Sequence, residues 1–216
     1  IESAKQEAIE TILEFSLLKK EGRIKAIIVT GCLAERYRDE IIKEIPEIDA
    51  VVGIGKNKEL GDIVRDVLCD KKQITAYGEK NELDIDGKRI ISTEPFYAYL
   101  KIAEGCDNKC SYCAIPLIRG RLRSRPIEDI VNEARDLESM GVKEINLIAQ
   151  DTSRYGLDLY GEYKLAELVR AICRETSIPW IRLLYCYPDK ITDELIAEMK
   201  NNPRLLKYID VPIQHI

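Results

Sequence analysis

At 216 residues, the chain is long enough for one large domain or one and a half smaller ones, and with 45% hydrophobic residues it can bury a real core. Charged residues make up 33% and the formal net charge is −5, a balance ordinary for a soluble cytoplasmic protein and one that argues against broad, nonspecific attraction to nucleic acid. No apolar run is long enough to span a membrane, and no signal-peptide pattern opens the chain. The seven cysteines are an odd number. Three of them crowd into one short stretch, which points to metal or redox chemistry in a reducing compartment and away from a disulfide framework.

In chain order, residues 2–20 carry apolar side chains at Ala4, Ala8, Ile12, Phe15 and Leu18, a helical spacing, with Gly22 as the stop. Residues 25–30 read as a short buried strand. Gly31, Cys32 and Leu33 then turn the chain into a helix over 35–45, ended near Pro46. A second strand over 49–53 and a helix over 57–69 follow. Alternation of this kind predicts a parallel sheet in an amino-terminal αβ domain over residues 1–75. Lys71, Lys72, Gly78, Asn81, Gly87 and Pro95 break the pattern, so residues 76–95 read as a linker with one hairpin at Asp86 and Gly87.

A second αβ series fills residues 96–216. A strand over 97–103 leads into the cysteine stretch. Pro126 then starts a helix whose apolar face is Ile127, Ile130, Val131, Ala134, Leu137 and Met140, with Gly141 at its end. Strands at 144–149, 180–184 and 208–211 alternate with helices at 162–175 and from Thr192 to about residue 200. Four strands separated by helices make about half or more of a (β/α) barrel, incomplete at its carboxyl end, and such sheets place their chemistry at the carboxyl ends of strands. The cysteine stretch, Gln150, Asp151, residues 185–187, Gln214 and His215 all fall there. With no methionine ahead of Ile1 and a stop at Ile216 just past a strand, the chain reads as a fragment of a longer protein.

Cys106, Cys110 and Cys113 are spaced C-x3-C-x2-C. Three thiolates can hold three irons of a cubane cluster and leave the fourth open, whereas a purely electron-carrying cluster normally uses four cysteines. Structural zinc also wants four ligands, usually as two short pairs. No second pair lies nearby, and the only histidine, His215, is far along the chain.

The spacing, with Tyr112 in the aromatic place of C-x3-C-x-aromatic-C, resembles the radical S-adenosylmethionine superfamily. The wider run over 104–125 resembles its methylthiotransferases, and residues 114–120 and 148–156 resemble their RimO branch. Residues 29–37 extend the likeness into the first domain. That branch methylthiolates the β-carbon of an aspartate in protein twelve of the small ribosomal subunit. The resemblance therefore implies a radical-SAM barrel behind a truncated methylthiotransferase domain, with a ribosomal protein or the ribosome as substrate and an electron-donor protein as partner. It implies that Cys106, Cys110 and Cys113 hold a [4Fe–4S] cluster whose open iron chelates S-adenosyl-L-methionine, with Tyr112 near the adenine unless its ring merely packs. It also implies a second [4Fe–4S] cluster, of which Cys32 matches the last ligand; the other two would lie ahead of Ile1.

Other residues stay open. Gln150 and Asp151 end a strand beside the expected cofactor and either contact it or cap the next segment. Arg182 either points into the barrel toward the cofactor or pairs at its edge. Arg119, Arg121, Arg123 and Arg125 form a basic run that either grips substrate or cofactor carboxylate or sits as a solvated edge, and it is too short to establish RNA contact. Cys69 and Cys173 read as structural, and Cys186 sits near a strand's active end. Two rival functions remain: methylthiolation of an adenosine in transfer RNA, and a noncatalytic module with zinc or an inert cluster.

Overall fold

A computed structural model describes residues 2–70, 72–80, 90–91 and 94–212. The chain divides into two compact units, one over Ile1–Asp84 with Leu117–Arg119 and one over Ile85–Pro116 with Gly120–Ile216.

The first unit is a three-stranded parallel sheet in the order β1 (Ile28–Thr30), β2 (Ala50–Val52), β3 (Ile74–Ala76). Parallel strands need cover on both faces, and the alternation of side chains supplies it. Val29 and Val51 pack with Ile12 of α1 (Glu2–Lys20), Ala34 of α2 (Cys32–Tyr37) and Ile41 of α3 (Asp39–Glu44). Ala50 and Val52 pack on the other side with Ile63 and Val67 of α4 (Leu60–Asp70). The end of α1 is a Schellman turn: Gly22 takes φ 72°, its N–H donates to the Lys19 carbonyl, and the Arg23 N–H donates to that of Leu18.

The second unit is a four-stranded parallel sheet in sequential order, β4 (Tyr97–Lys101), β7 (Glu144–Ile148), β8 (Trp180–Leu183) and β9 (Leu205–Ile209). A two-stranded antiparallel ladder, β5 (Ala103–Glu104) with β6 (Arg123–Ser124), stands beside it, and a short α5 (Ile115–Arg119) lies between these two strands in sequence. One face of the large sheet carries Ala98, Leu100, Ile145, Leu147, Ile181, Leu183 and Leu205. These pack against α6 (Ile127–Ser139), α8 (Leu165–Glu175) and α9 (Asp193–Asn201); a one-turn α7 (Leu157–Tyr160) precedes α8. The opposite face lines an open groove of about 780 Å³ with Tyr97, Tyr99, Glu144, Asn146, Trp180 and Arg182. In register, Tyr99, Asn146 and Arg182 sit side by side across three strands. Thr192 caps α9, its hydroxyl accepting from the Leu195 N–H at 3.2 Å. Among the described residues no helix is long and apolar enough to cross a membrane.

The parallel αβ architecture matches the expectation, and several local readings need correction. Residues 74–76, at the junction with the expected linker and read as no element, form a third parallel strand, held by β2 through backbone bonds rather than by an apolar run. The helix expected over 35–45 is two short helices broken at Arg38, which takes φ 44° and donates to the Glu35 carboxylate at 2.8 Å. Phe15 and Met140 are exposed, not core: the buried side of α1 is Ile12 and Ser16, and Met140 is the C-cap beyond α6. The last strand starts at Leu205, three residues earlier than expected. The hairpin at Asp86 and Gly87, and Gln214 with His215, lie outside the described residues.

Leu168, on α8, is fully buried against the sheet, whereas Ile196 on α9 is half exposed. Leu168→Ala should lower unfolding free energy by about 2–5 kcal/mol in a denaturant titration. Ile196→Ala should change it by no more than about 0.5 kcal/mol.

Candidate functional site

The cysteines occupy a loop closed at its base by the β5–β6 ladder, where Ala103 pairs with Ser124 and Glu104 with Arg123. The loop leaves β5 through Gly105, which only glycine can fill. Its φ is 78°, and a Cβ there would stand 2.0 Å from the Arg121 carbonyl oxygen. The Cys106 N–H donates to the Gly120 carbonyl at 3.2 Å, and the Cys113 N–H to that of Cys110 at 3.0 Å, so both ends of the cysteine stretch are pinned by main chain. Between them Lys109 adopts φ 52°, the left-handed region that a side chain disfavours.

Behind the loop lies a polar network fed by the carboxyl ends of neighbouring strands. Asp151, just past β7, is 2% exposed. One of its carboxylate oxygens accepts from the Ser153 N–H at 3.1 Å and hydroxyl at 2.5 Å, which caps the 3₁₀ turn Thr152–Arg154. The other accepts from the Asn108 amide at 2.7 Å. Arg154 donates to the Asn108 carbonyl oxygen at 2.5 Å. The Ser153 hydroxyl in turn accepts from the Tyr187 N–H at 3.0 Å, beyond β8. Burial pushes the Cys106 thiol up; the Asn108 backbone N–H offsets this in part, and the Asp151 charge adds to it.

Gln150 donates to the fully buried Glu104 at 2.8 Å, and Lys101 ion-pairs with the other Glu104 oxygen at the same distance. The Gln150 Oε1 is buried with no hydrogen-bond partner, an acceptor of the kind that a bound molecule or water normally satisfies. Arg182 lies on the groove face of β8, donates to Glu144 at 2.6 Å and stacks over the Tyr208 ring at 5.2 Å. Tyr112 is exposed. Cys32 is exposed at the start of α2 in the first unit, after Gly31 at φ 89°.

The arginine run resolves residue by residue. Arg125 is buried, donating to the Lys101 carbonyl at 2.7 Å and to Glu133 at 2.6 Å, so it is structural. Arg123 is half buried near Glu104. Arg121 is exposed. Cys186 is buried in the core, its thiol pushed up to about 12 by burial and then by Asp151 and Asp210; it stays protonated near neutrality and makes a poor ligand. Cys173 accepts from the Asn202 amide at 3.2 Å. Sequence reasoning passed over Asn108, Ser153, Arg154 and Glu104. The one signal for Asn108 was its place between two of the cysteines.

Cys106, Cys110 and Cys113 are free, half-exposed thiols on one loop. Among the described residues no three His, Cys, Asp or Glu side chains converge as a single metal ion would require. A cubane makes a different demand, because each thiolate ligates its own iron. A three-thiolate donor set on a pinned loop fits such a cluster with one iron unligated by protein.

The Radical SAM superfamily profile matches residues 100–216, and that of Uncharacterized protein family UPF0004 matches residues 1–53. Over the whole of this chain, identity is 51% to the "Ribosomal protein uS12 methylthiotransferase RimO" of Thermoanaerobacter sp. (strain X514) and 52% to that of Desulforamulus reducens. Against the one from Clostridium tetani it is 49%. The match takes in 49%, 49% and 48% of those proteins, so the chain spans about half the length of the curated relatives it matches. A solved structure of the radical S-adenosylmethionine methyltransferase TsrM from Kitasatospora setae overlaps 56% of this chain and 23% of its own at TM-score 0.45 and 20% identity.

Gly105→Ala should lower unfolding free energy by about 3 kcal/mol or more, since backbone must move to admit the methyl group. Gly141→Ala, also at positive φ (91°) but with nothing within 4 Å of its Cβ, should cost only about 1–2 kcal/mol. Chemical denaturation of both variants checks the contrast.

Proposed function

Because the chain belongs to the radical S-adenosylmethionine superfamily, we propose that it is part of a RimO-type methylthiotransferase, and that the whole protein adds a methylthio group to the β-carbon of an aspartate in ribosomal protein uS12. The observation that carries this reading is identity of about half the residues over this entire chain to proteins of that name, among them the 51% and 52% pairs. The loop of three free thiols at the carboxyl end of the first barrel strand supports it.

In this reading Cys106, Cys110 and Cys113 hold a [4Fe–4S] cluster, and S-adenosyl-L-methionine binds beside it. When bound, these supply one-electron cleavage of the sulfonium and a carbon radical able to take hydrogen from an unactivated carbon. The chain's own residues bind, orient and exclude water. Gly105 and the β5–β6 ladder fix the loop against the sheet. Gln150 offers its unpartnered Oε1 to a donor, and an amino N–H of S-adenosyl-L-methionine is one. Tyr112 stands exposed on the same loop, available to an adenine face. Arg182, held by Glu144, gives the groove a fixed cation for the cofactor. Cys32 supplies one ligand of a second cluster. An electron-donor protein is the partner that feeds the first cluster. All seven cysteines are free thiols, which fits a reducing compartment, and we assign the cytoplasm.

Full-length protein, loaded with iron and sulfide without oxygen and given dithionite, should release 5′-deoxyadenosine from S-adenosyl-L-methionine. A uS12 substrate should gain the mass of a methylthio group on one aspartate. Cys110→Ala should bring both signals to background and lower bound iron, because two thiolates are too few. Cluster-loaded protein that releases no 5′-deoxyadenosine contradicts the enzyme reading; modification of transfer RNA in place of uS12 contradicts the substrate.

A further inference from the structure

We propose that Asn108 is the positioning residue of the cysteine loop, the middle member of a one-way hydrogen-bond relay from Arg154 to Asp151 that sets how Cys106 and Cys110 present their sulfurs. The inference rests on the reading of those cysteines as cluster ligands.

The relay has a chemically forced direction. Arg154 can only donate, and it donates to the Asn108 oxygen at 2.5 Å. An ionised carboxylate can only accept, and Asp151 accepts from the Asn108 amide nitrogen at 2.7 Å. Asparagine is the residue that offers an acceptor and a donor side by side at this reach, and its two neighbours fix which way the amide points. The far end is anchored. The second Asp151 oxygen is taken by the Ser153 N–H and hydroxyl, and the Ser153 hydroxyl also holds the Tyr187 backbone. Asp151 and Ser153 are both 2% exposed, so water does not compete for these bonds.

The near end acts on the cysteines. Asn108 stands two residues after Cys106 and two before Cys110, and the next residue, Lys109, is held at φ 52°. A side chain clamped at both polar atoms fixes the backbone midway between the two cysteines and sustains the left-handed turn leading to Cys110. The groups that orient ligands govern metal retention, and the surroundings they set up tune the potential of the bound centre.

The test breaks the donor–acceptor matching and then restores it with the second bond reversed. Asn108→Asp sets two carboxylates against each other, and Asp151→Asn cannot satisfy the Asn108 nitrogen while keeping the Ser153 bonds. The double variant, Asn108→Asp with Asp151→Asn, has the wild-type net charge and matches a donor to an acceptor at every contact again: the carboxylate at position 108 accepts from Arg154 and from the amide at position 151, whose oxygen still accepts from Ser153. In full-length protein loaded without oxygen, each single variant should lose iron to a chelator about tenfold faster than wild type. Each should also shift the reduction potential and electron paramagnetic resonance line shape of the cluster that responds to S-adenosyl-L-methionine. The double variant should return to within about twofold of the wild-type rate and to its line shape. Single variants that match wild type in rate, potential and line shape overturn the inference, as does a double variant no better than the worse single. Wild-type protein that takes up no cluster at these cysteines overturns the reading beneath it as well, so the two failures are distinguishable.

Discussion

One buried carboxylate joins the parts of the second unit that matter. Asp151 collects three hydrogen bonds, from Asn108 on the cysteine loop and from the N–H and hydroxyl of Ser153, and through Ser153 reaches Tyr187 beyond β8. A buried charge is stable only when its lone pairs are met by donors. Satisfying this one therefore obliges segments that follow three adjacent strands to meet at one place. The cost of exposing or mispairing it is what makes the arrangement cooperative.

The parallel sheet makes that meeting possible. With β4, β7 and β8 hydrogen-bonded side by side, their carboxyl ends emerge together, and residues about 40 apart in sequence become neighbours, as Asn108 and Asp151 do at a separation of 43. The helix-covered face holds the sheet with an almost wholly aliphatic core, which leaves the groove face free to carry polar and aromatic groups such as Glu144, Asn146 and Arg182. That division of labour between the two faces is what a sheet serving an internal site requires.

Much of this was legible in the sequence where local signals are strong. Pro126, Gly141, Thr192 and the helical spacing of Ile130, Ala134 and Leu137 marked their elements because propensity, capping and burial agree there. The cysteine spacing carried the likeness to the superfamily whose profile matches residues 100–216. What escaped depends on partners distant in sequence. The strand at Ile74–Ala76 is only three residues long, and flanking lysines and a glycine masked it; its backbone bonds to β2 make it a strand. The break at Arg38 is imposed by the Glu35 carboxylate and the Tyr77 ring. Asn108 drew no reading of its own, since the residues that clamp it lie 43 and 46 positions away. Arg125 looked like a candidate substrate contact, yet Glu133 and the Lys101 carbonyl claim it.

The account depends on a cluster with three protein thiolates and one iron left for an exogenous ligand. Mössbauer spectroscopy of ⁵⁷Fe-loaded, full-length protein, with and without S-adenosyl-L-methionine, tests it most directly. One iron in four of the cluster at Cys106, Cys110 and Cys113 should change its isomer shift and quadrupole splitting when the sulfonium compound is added, because only that iron lacks a thiolate. Spectra that are unchanged by the addition, with every iron in a sulfur-only environment, would contradict the account.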